Sequence, residues 1–334
     1  MYTVKYLIRR VSMYFVTIAT AIVINFMVPR LIPGNPIQQK LLELYRMGIR
    51  LGGEKFIEKY SKLFSLDQPM HIQFINYLSS LLHGNLGFSI SYFPATVVEI
   101  IRRSLPWSIG LLGVAVIISF VLGTVLGAFL GWSKREGKGS KITGFIFGLS
   151  IFLNNVPFYA LGMILIYLLA YLWPIFPYGG GQSLLIQPGT WDYIIDVVSH
   201  AFLPALSIVL GSIGAWAIEA RGLMVGVLGE DYLFLARAKG LPEKYIFRQY
   251  ALKNTLLPLF TDFALSLGNI VSGSIIVEII FSYPGIGSVL FAAIQSLDYP
   301  VIQGITLIII LGVTTAALLV DLVYPLLDPR VGEK

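Results

Sequence analysis

Long apolar runs alternate with shorter polar connections along this chain of 334 residues. A bilayer core about 30 Å thick is crossed by about 20 residues of helix, so each apolar run of about that length with few charges predicts one transmembrane helix. Six such runs lie near residues 10–30, 107–131, 142–172, 201–219, 257–280 and 301–324. The pattern therefore predicts an all-α membrane protein with six transmembrane helices.

The first run predicts a retained transmembrane helix rather than a cleaved signal peptide. It is too long, and too poor in small residues at its end, for a signal sequence. Pro29, Pro33 and Pro36 then stop the helix. We therefore expect a cytoplasmic stub and the first span within residues 1–30.

Residues 31–106 form the longest connection and have helical patterns of their own. Helices are predicted near 39–60, 68–82 and 95–103. Gly48, Gly52 and Gly53 interrupt the first of these helices, and the third leads into the second span. We expect this connection to fold as an extracytoplasmic domain.

Polar residues interrupt the third apolar run. Asn154, Asn155 and Pro157 stand near its middle. Amides and proline inside a membrane helix indicate a kink that faces the protein interior or a water-filled cavity. These residues are candidates for a translocation path, and the alternative is that they join two helices structurally.

Glu278, near the outer end of the fifth run, also has two interpretations. It would face a substrate path, or it would anchor the following loop by accepting backbone hydrogen bonds, and the anchor is favoured. Residues 282–298 predict a turn and a short apolar helix, as an outer lid or a partly re-entrant segment. Three other acids, Glu219, Asp262 and Asp321, stand near inner ends of runs, where they can reach the membrane interface.

Residues 230–258 are the one long, strongly charged stretch between two apolar runs, and their local chemistry predicts two short helices. The acids Glu230 and Asp231 favour the start of a helix, and Arg237 favours its last turn. Gly240 can adopt the left-handed conformation that closes such a helix.

The second short helix is expected to run from Pro242, which suits a first turn, into Leu252. In the first helix, Tyr232, Leu235 and Ala236 lie at helical spacing and form a small apolar face. A segment of this kind is built to touch another protein at the membrane surface. The alternative is an ordinary loop between two membrane helices.

The composition also indicates a multi-spanning membrane protein. The chain is 56% hydrophobic and only 13% charged, whereas soluble globular proteins have roughly 25% charged residues. There is no cysteine, which excludes disulfides, thiol catalysis and cysteine metal sites.

The distribution of positive charge predicts the orientation in the membrane. Most of the 24 lysine and arginine residues lie in segments that are cytoplasmic if the N-terminus is inside, whereas the short segments 173–200 and 281–300 contain none. The positive-inside rule therefore places both termini and residues 230–258 in the cytoplasm. The remaining basic residues lie in the 31–106 connection, and loops longer than about 60 residues largely escape the rule.

The sequence contains no self-contained catalytic or nucleic-acid site. Residues 131–139, GWSKREGKG, lack the spacing of an ATP-binding Walker loop. His71, His83 and His200 are isolated, and neither an HExxH nor a GxSxG pattern occurs. The basic residues flank apolar runs instead of forming a nucleic-acid patch. The sequence therefore predicts no catalysis, metal site or cofactor site within this chain.

The chain resembles, nearly end to end, the B-type permease subunit of the dipeptide/oligopeptide/nickel class of ABC importers. The most specific stretch is ARAKGLPEKYIFRQYALKNTLLP, which is similar to the cytoplasmic coupling loop of importer permeases. LDQPMHIQFINYLSSLLHGNLGFS, VEIIFSYPGIGSVLFAAIQSLDYPVIQG and the terminal DPR at 328–330 support the resemblance. Ala236 and Gly240 match the second alanine and the glycine of the loop motif, whereas Phe234 occupies the place of its glutamate.

The resemblance implies the type I ABC importer permease fold, with a five-helix core, an additional N-terminal helix and a large extracytoplasmic loop. Together with the predicted spans, it divides the chain at 1–30, 31–106, 107–325 and 326–334. It also implies that an ATPase subunit docks on Asp231, Tyr232, Leu235, Ala236, Arg237, Ala238, Lys239, Gly240 and Leu241.

The implied assembly contains a second homologous permease, two ABC ATPase subunits and an extracytoplasmic substrate-binding protein, in a lipid bilayer and without nucleic acid. ATP and magnesium would be bound by the ATPase subunits, and substrate would move inward by alternating access. The expected substrate is a di- or oligopeptide, and oligosaccharides or nickel are alternatives within the same class.

Two other classes of function stay open from the residues alone. A secondary transporter or channel working alone would normally show acid or histidine relays within its spans, and this chain has few. A membrane-embedded enzyme or scaffold is the other alternative, and the lack of a convergent catalytic set argues against an enzyme. An ATPase that stays bound in mild detergent would distinguish the importer from both.

Overall fold

The computed structural model describes residues 4–49, 53–133, 141–184, 186–269 and 275–327. Within these ranges the chain is helical and has no strand, apart from one isolated bridge between Phe88 and Thr96. The all-α prediction is confirmed for this part of the chain.

Four of the described helices are long and apolar enough to cross a membrane. A bent pair of helices adds a fifth span if the pair crosses the membrane as one unit. The four are α1 (Val4–Leu31), α5 (Val97–Ser133), α8 (Trp191–Leu228) and α14 (Tyr299–Leu327). The bent pair is α6 (Lys141–Asn155) followed by α7 (Phe158–Leu165), which continues in π-helical form over Ile166–Leu172.

The predicted fifth span near 257–280 corresponds to two shorter helices. They are α11 (Lys253–Asn269) and α12 (Ile275–Ile280), and residues 270–274 between them lie outside the described residues. The structure therefore supports a multi-spanning helical protein with four to five spans, and the sixth stays a prediction.

The connection between α1 and α5 contains three short helices, α2 (Pro36–Arg46), α3 (Gly53–Leu63) and α4 (Met70–Leu82). Helix α2 begins because the Asn35 side chain accepts hydrogen bonds from two backbone N–H groups of the first turn and Pro36 pre-sets the helical φ angle. Gly48, with φ +82°, follows its end, as the glycine pattern predicts. The helix predicted at 95–103 is not separate, because it is the first part of α5.

The chain forms two compact units. The first contains Met1–Ser108, Val271–Ile275 and Pro284–Lys334, and the second contains Ile109–Ile270 and Ile276–Tyr283. The chain returns to the first unit near its end, and the predicted division at 1–30, 31–106, 107–325 and 326–334 stays a prediction.

The first unit is held together by apolar packing around the start of α5. Its core joins α5, α13 (Ile286–Gln295) and α14 through eight buried residues: Val97, Ile101, Ile286, Leu290, Ala293, Val301, Ile302 and Ile305. The turn and short helix predicted within 282–298 are thereby confirmed.

Polar contacts join α1 to α14 along their length. Asn25 Nδ2 donates to the Gln303 carbonyl at 2.8 Å, and the Tyr14 hydroxyl lies 3.0 Å from Thr315 Oγ1. Arg10 Nη1 forms an ion pair with Asp321 Oδ2 at 2.9 Å. Asp321 is therefore bound to a neighbouring helix as well as lying near the end of its run.

Buried Asp298 fixes the loop before α5 to the start of α14. Its carboxylate accepts hydrogen bonds from Ser89 Oγ and from the Ser91 backbone N–H at 2.9 Å. The same side chain accepts from the Val301 N–H, so it also caps α14.

In the second unit, glycines let α5 and α8 approach closely. Gly123, Gly127 and Gly131 lie on one face of α5, four residues apart. A Cβ at Gly131 would lie 2.7 Å from Met224 Cβ, and one at Gly127 would clash with the backbone of Ala217. Small residues at this spacing permit close packing of membrane helices.

Candidate functional site

Residues 230–258 form two short helices separated by a turn, as predicted. Helix α9 covers Asp231–Ala238 and α10 covers Glu243–Tyr245. Gly240 between them has φ +72°, and the turn is closed by a 3.3 Å hydrogen bond from the Leu241 N–H to the Ala236 carbonyl. Glycine adopts this left-handed conformation without the strain that a Cβ would add.

The second short helix does not stop at Tyr245. It continues in π-helical form over Ile246–Leu252 and then runs directly into α11. The segment is therefore one continuous helical path from the turn at Gly240 into an apolar helix, which the predicted end at Leu252 did not anticipate.

One face of the segment is buried against the ends of α5 and α8. Leu233, Ala236, Ile246 and Ala251 pack with Ala128 of α5 and Met224 of α8, and all six are at most 3% exposed. Full burial of each of the larger apolar side chains contributes about 1.5–3 kcal/mol. The ring of Trp132 also packs edge-on against Phe247 at 5.1 Å. This apolar anchor fixes the segment to the second unit and excludes an unstructured loop.

The opposite face of α9 is exposed and partly apolar. Phe234 is 75% exposed and Leu235 is 55% exposed. Asp231 and Ala238, one turn to either side, are exposed as well. The structure thus divides the predicted apolar face, because Ala236 turns inward with Leu233 whereas Leu235 turns outward.

Phe234 and Leu233 were not among the predicted contact residues. The spacing of three between Leu233 and Ala236 is compatible with an inward side that leaves Phe234 outside, but the sequence alone does not select this side, and the packing against Ala128 and Met224 does. The sequence also indicated Phe234 as the departure from the motif of related loops.

Arg237 connects the two short helices. Its Nε lies 3.6 Å from Glu243 Oε1, across the turn at Gly240. Nε and Nη2 are buried and form no hydrogen bond with any described residue. The guanidinium is thus held between α9 and α10 by packing and by the charge of Glu243, whereas Lys239 beside it is exposed.

The predicted interruption of the third run is a sharp bend. The axes on either side of Asn154, Asn155 and Pro157 differ by 98°. Both asparagines are exposed in the chain, and Asn155 Nδ2 donates to the Ile151 carbonyl at 2.7 Å. On the other side of the bend, Phe158 packs against Gly211 of α8, where a Cβ would lie 2.9 Å from Phe158 Cβ.

Glu278 is fully buried at 0% exposure. Its carbonyl accepts a 2.7 Å hydrogen bond from the Tyr283 N–H. Burial, together with the negative charge of Glu278, raises the pKa of Tyr283 to about 12. Both interpretations of Glu278, as part of a substrate path or as an anchor for the following loop, stay predictions, because the hydrogen bond from Tyr283 is accepted by the main-chain carbonyl.

Two further groups of polar side chains have structural partners. Asp196 of α8 accepts from the Ser183 N–H and hydroxyl, both at 2.6 Å, and lies 3.5 Å from His200 Nδ1. Glu219 of α8 is hydrogen-bonded to Asp262 of α11. No group of three potential metal ligands occurs among the described residues.

Comparison with known proteins gives a consistent result. Residues 123–333 match the family model described as "Binding-protein-dependent transport system inner membrane component". The chain is 31% identical to a dipeptide transport system permease protein of Escherichia coli (strain K12), with 99% of both chains covered. It is 32% identical to an oligopeptide transport system permease protein of Bacillus subtilis (strain 168), with 98% of both covered. It is 31% identical to a di/tripeptide transport system permease protein of Pseudomonas aeruginosa (strain UCBPP-PA14), again with 98% of both covered.

Proposed function

Because the chain belongs to the family of binding-protein-dependent transport system inner membrane components, we propose that it is the permease subunit of an ATP-driven importer of di- or oligopeptides. The peptide assignment follows the names of the relatives, which match nearly the whole chain. Oligosaccharides or nickel are the alternatives within the importer class.

The observation that supports coupling to an ATPase is the two-sided character of α9. Leu233 and Ala236 hold the helix to the protein, whereas Phe234 and Leu235 project apolar surface outward. Exposed aromatic and aliphatic side chains at the centre of a surface are typical anchors of protein interfaces. We assign the docking surface to Asp231, Phe234, Leu235, Ala238, Lys239 and Gly240.

The remaining predicted contact residues have a supporting role in this proposal. Ala236 is buried, and Tyr232 and Leu241 pack against the same apolar anchor. Arg237 spans the turn to Glu243. These residues keep α9 in place, so that a force applied to its outer face is transmitted to α5, α8 and α11.

The proposed complex contains this chain, a homologous permease, two ABC ATPase subunits that bind ATP and magnesium, and an extracytoplasmic binding protein. The chain itself is a non-catalytic membrane subunit. ATP can shift the permease between inward-open and outward-open states only if the ATPase dimer has different affinities for them. Docking at α9 is where that difference would act on this chain.

The proposed arrangement in the membrane has six spans, cytoplasmic termini and an extracytoplasmic 31–106 domain, as in the type I importer permease fold. The exposed amides at the α6–α7 bend are proposed to face the translocation path, because polar groups at membrane depth are tolerated where they line a wet cavity. In this proposal Pro157 maintains the bend, and Glu278 lies beside the translocation path or anchors the loop that follows it.

A substitution at Phe234 tests the docking surface. Phe234→Ser removes the most exposed apolar side chain of α9 without touching its buried face, so the ATPase subunits should be lost on purification in mild detergent. Phe234→Leu is the matched control, because it keeps apolar bulk at the same position, and it should retain them. Full retention of the ATPases and normal peptide uptake by Phe234→Ser would refute the assignment.

A further inference from the structure

The first unit contains a pocket that the proposed coupling mechanism does not use. It has a volume of about 500 Å³ and lies between the end of α1, helices α3 and α4, the loop before α5 and the start of α14. Pockets that bind small molecules have volumes of about 300–1,000 Å³. We call it the Arg30 pocket, after the only charged residue among the described residues that line it.

Arg30 is a partly buried cation at the edge of this pocket. Its Nε and Nη2 donate to Gln73 Oε1, both at 3.1 Å, and its Nη1 donates to the Phe26 carbonyl at 2.9 Å. The guanidinium lies 3.6 Å from the centre of the Phe26 ring. These partners position the group, and none of them is an anion.

No described carboxylate forms an ion pair with Arg30. The ionisable groups that act on it are the hydroxyls of Tyr77 and Tyr299. A guanidinium has five N–H donors, so two remain outside the hydrogen bonds to Gln73 and Phe26. A partly desolvated cation with donors to spare favours an anionic ligand, and a carboxylate matches the geometry of its planar fork.

Tyr77 adds a neutral donor to the pocket lining. Its hydroxyl accepts a long hydrogen bond, 3.5 Å, from Asn25 Nδ2. Burial raises the pKa of Tyr77, so the phenol keeps its proton at neutral pH. The side chains of Gln73, Asn76 and Gln303 also line the pocket and supply amide groups.

Another part of the lining is aromatic. The ring centres of Phe64 and Phe93 are 6.1 Å apart, and those of Phe88 and Phe93 are 6.0 Å apart. Phe88 and Phe93 remain exposed although they lie against one another. A cluster of exposed rings beside polar groups is typical of a surface that binds a partly apolar ligand.

We propose that the Arg30 pocket binds a small carboxylate that carries an aromatic or branched apolar group, with the carboxylate at Arg30 and the apolar group against Phe64, Phe88 and Phe93. A short peptide with a free C-terminus has this chemistry, and its identification as the natural ligand rests on the proposed function. The permease would then hold its substrate at a site of its own, separate from the binding protein.

Equilibrium binding of two matched probes tests the proposal. The importer complex, reconstituted in phosphatidylcholine nanodiscs without its binding protein, is titrated with N-acetylphenylalanine and with the neutral N-acetylphenylalaninamide. The carboxylate probe should bind saturably, and the amide should bind about tenfold more weakly because the charge-assisted hydrogen bonds are lost. Equal binding of the two probes, or no saturable binding, would overturn the proposal.

Variants locate the binding within the chain. Arg30→Gln should weaken the carboxylate probe about tenfold and leave the amide unchanged, and Phe88→Ala should weaken both. Arg102→Gln is the matched control, because Arg102 is exposed in the same unit and does not line the pocket. Co-purification of the ATPase subunits verifies that each variant is folded. An effect of Arg102→Gln equal to that of Arg30→Gln would also reject the pocket.

An anionic lipid is the competing occupant, since a phosphate headgroup can also pair with Arg30. If phosphatidylglycerol in the nanodisc displaces the carboxylate probe from the wild-type complex, the site belongs to the lipid and the proposal is overturned. The probe titration and the ATPase docking test can fail separately. Absence of probe binding in a complex that keeps its ATPase subunits rejects the pocket alone. Failure of the Phe234→Ser test rejects the docking surface and leaves probe binding unaffected.

Discussion

At the scale of single residues, the turn at Gly240 ends α9, and the burial of Leu233 and Ala236 leaves Phe234 and Leu235 exposed. Gly240 follows acids, a short apolar pattern and basic residues, and this local order is enough to predict a helix that ends in a left-handed turn. The direction of Leu235 was not predictable in the same way. In a helix this short, Tyr232 and Leu233 both lie at helical spacing from apolar residues that follow, so either could begin the buried face. Only the packing against Ala128 and Met224 shows that Leu233 is the buried residue.

Substitution of Gly240 should separate backbone strain from steric obstruction. A Cβ at this position would meet no atom of this chain within 4 Å, so the substitution strains the turn, by about 1 kcal/mol, without any internal clash. Gly240→Ala should therefore reduce transport mildly, whereas Gly240→Trp should release the ATPase subunits, because the indole would fill the space proposed for the partner. Transport and ATPase co-purification at equal membrane expression measure both. Equal behaviour of Ala and Trp would show that no partner approaches Gly240.

At the scale of elements, the start and end of apolar patterns did not always match the helices. The span predicted at 201–219 is part of a helix of 38 residues, Trp191–Leu228. Charged residues such as Asp196 and Arg221 interrupt the apolar pattern, so the sequence did not predict that the helix continues past 201 and 219. The structure accommodates both charges, because Asp196 accepts a hydrogen bond from Ser183 and the Arg221 guanidinium stacks on Phe147 at 3.8 Å. The break in the third run was predicted from two amides and a proline, but its 98° angle depends on packing against α8, which the local sequence does not contain.

The glycines of α5 provide a test of helix packing. Gly127→Ala should lower the melting temperature of the purified complex, because the added methyl group would meet the backbone of Ala217 and overpacking costs about 1–3 kcal/mol. Gly110→Ala is the control in the same helix. Its Cβ meets nothing within 4 Å, so the change should leave the melting temperature unchanged or raise it, since alanine favours helix by roughly 1 kcal/mol. Equal melting temperatures for the two variants would contradict close packing of α5 and α8.

At the scale of the whole molecule, apolar run length predicted the class of protein, and the resemblance of several stretches, above all residues 236–258, predicted its family. Long-range contacts were not. The Arg30 pocket gathers residues from α1, α3, α4 and α14, and no local pattern joins positions so far apart in the chain. The first compact unit contains both the start and the end of the chain, and this grouping was unpredictable for the same reason.

The absence of cysteine makes the membrane orientation directly testable, because any introduced cysteine is the only thiol of the chain. A membrane-impermeant maleimide added to intact cells should label His83→Cys, in the connection predicted to be outside. It should label Lys244→Cys, in the segment predicted to be cytoplasmic, only after the cells are permeabilised. Both residues are exposed in the chain and neither belongs to the proposed docking surface, so unequal labelling would not reflect burial. Labelling of Lys244→Cys from outside would invert the proposed topology and exclude docking of a cytoplasmic ATPase on α9.

The separation of the two faces of α9 has a consequence for compatibility between related transporters. The inward side chains contact only residues of this chain, so a substitution among them must be compatible with Ala128 and Met224. The outward side chains have no such constraint, and they can be replaced to suit a different ATPase subunit. If the proposed docking surface is correct, exchanging its six residues for their counterparts in another permease should change which ATPase subunits co-purify, while the buried residues keep α9 in place.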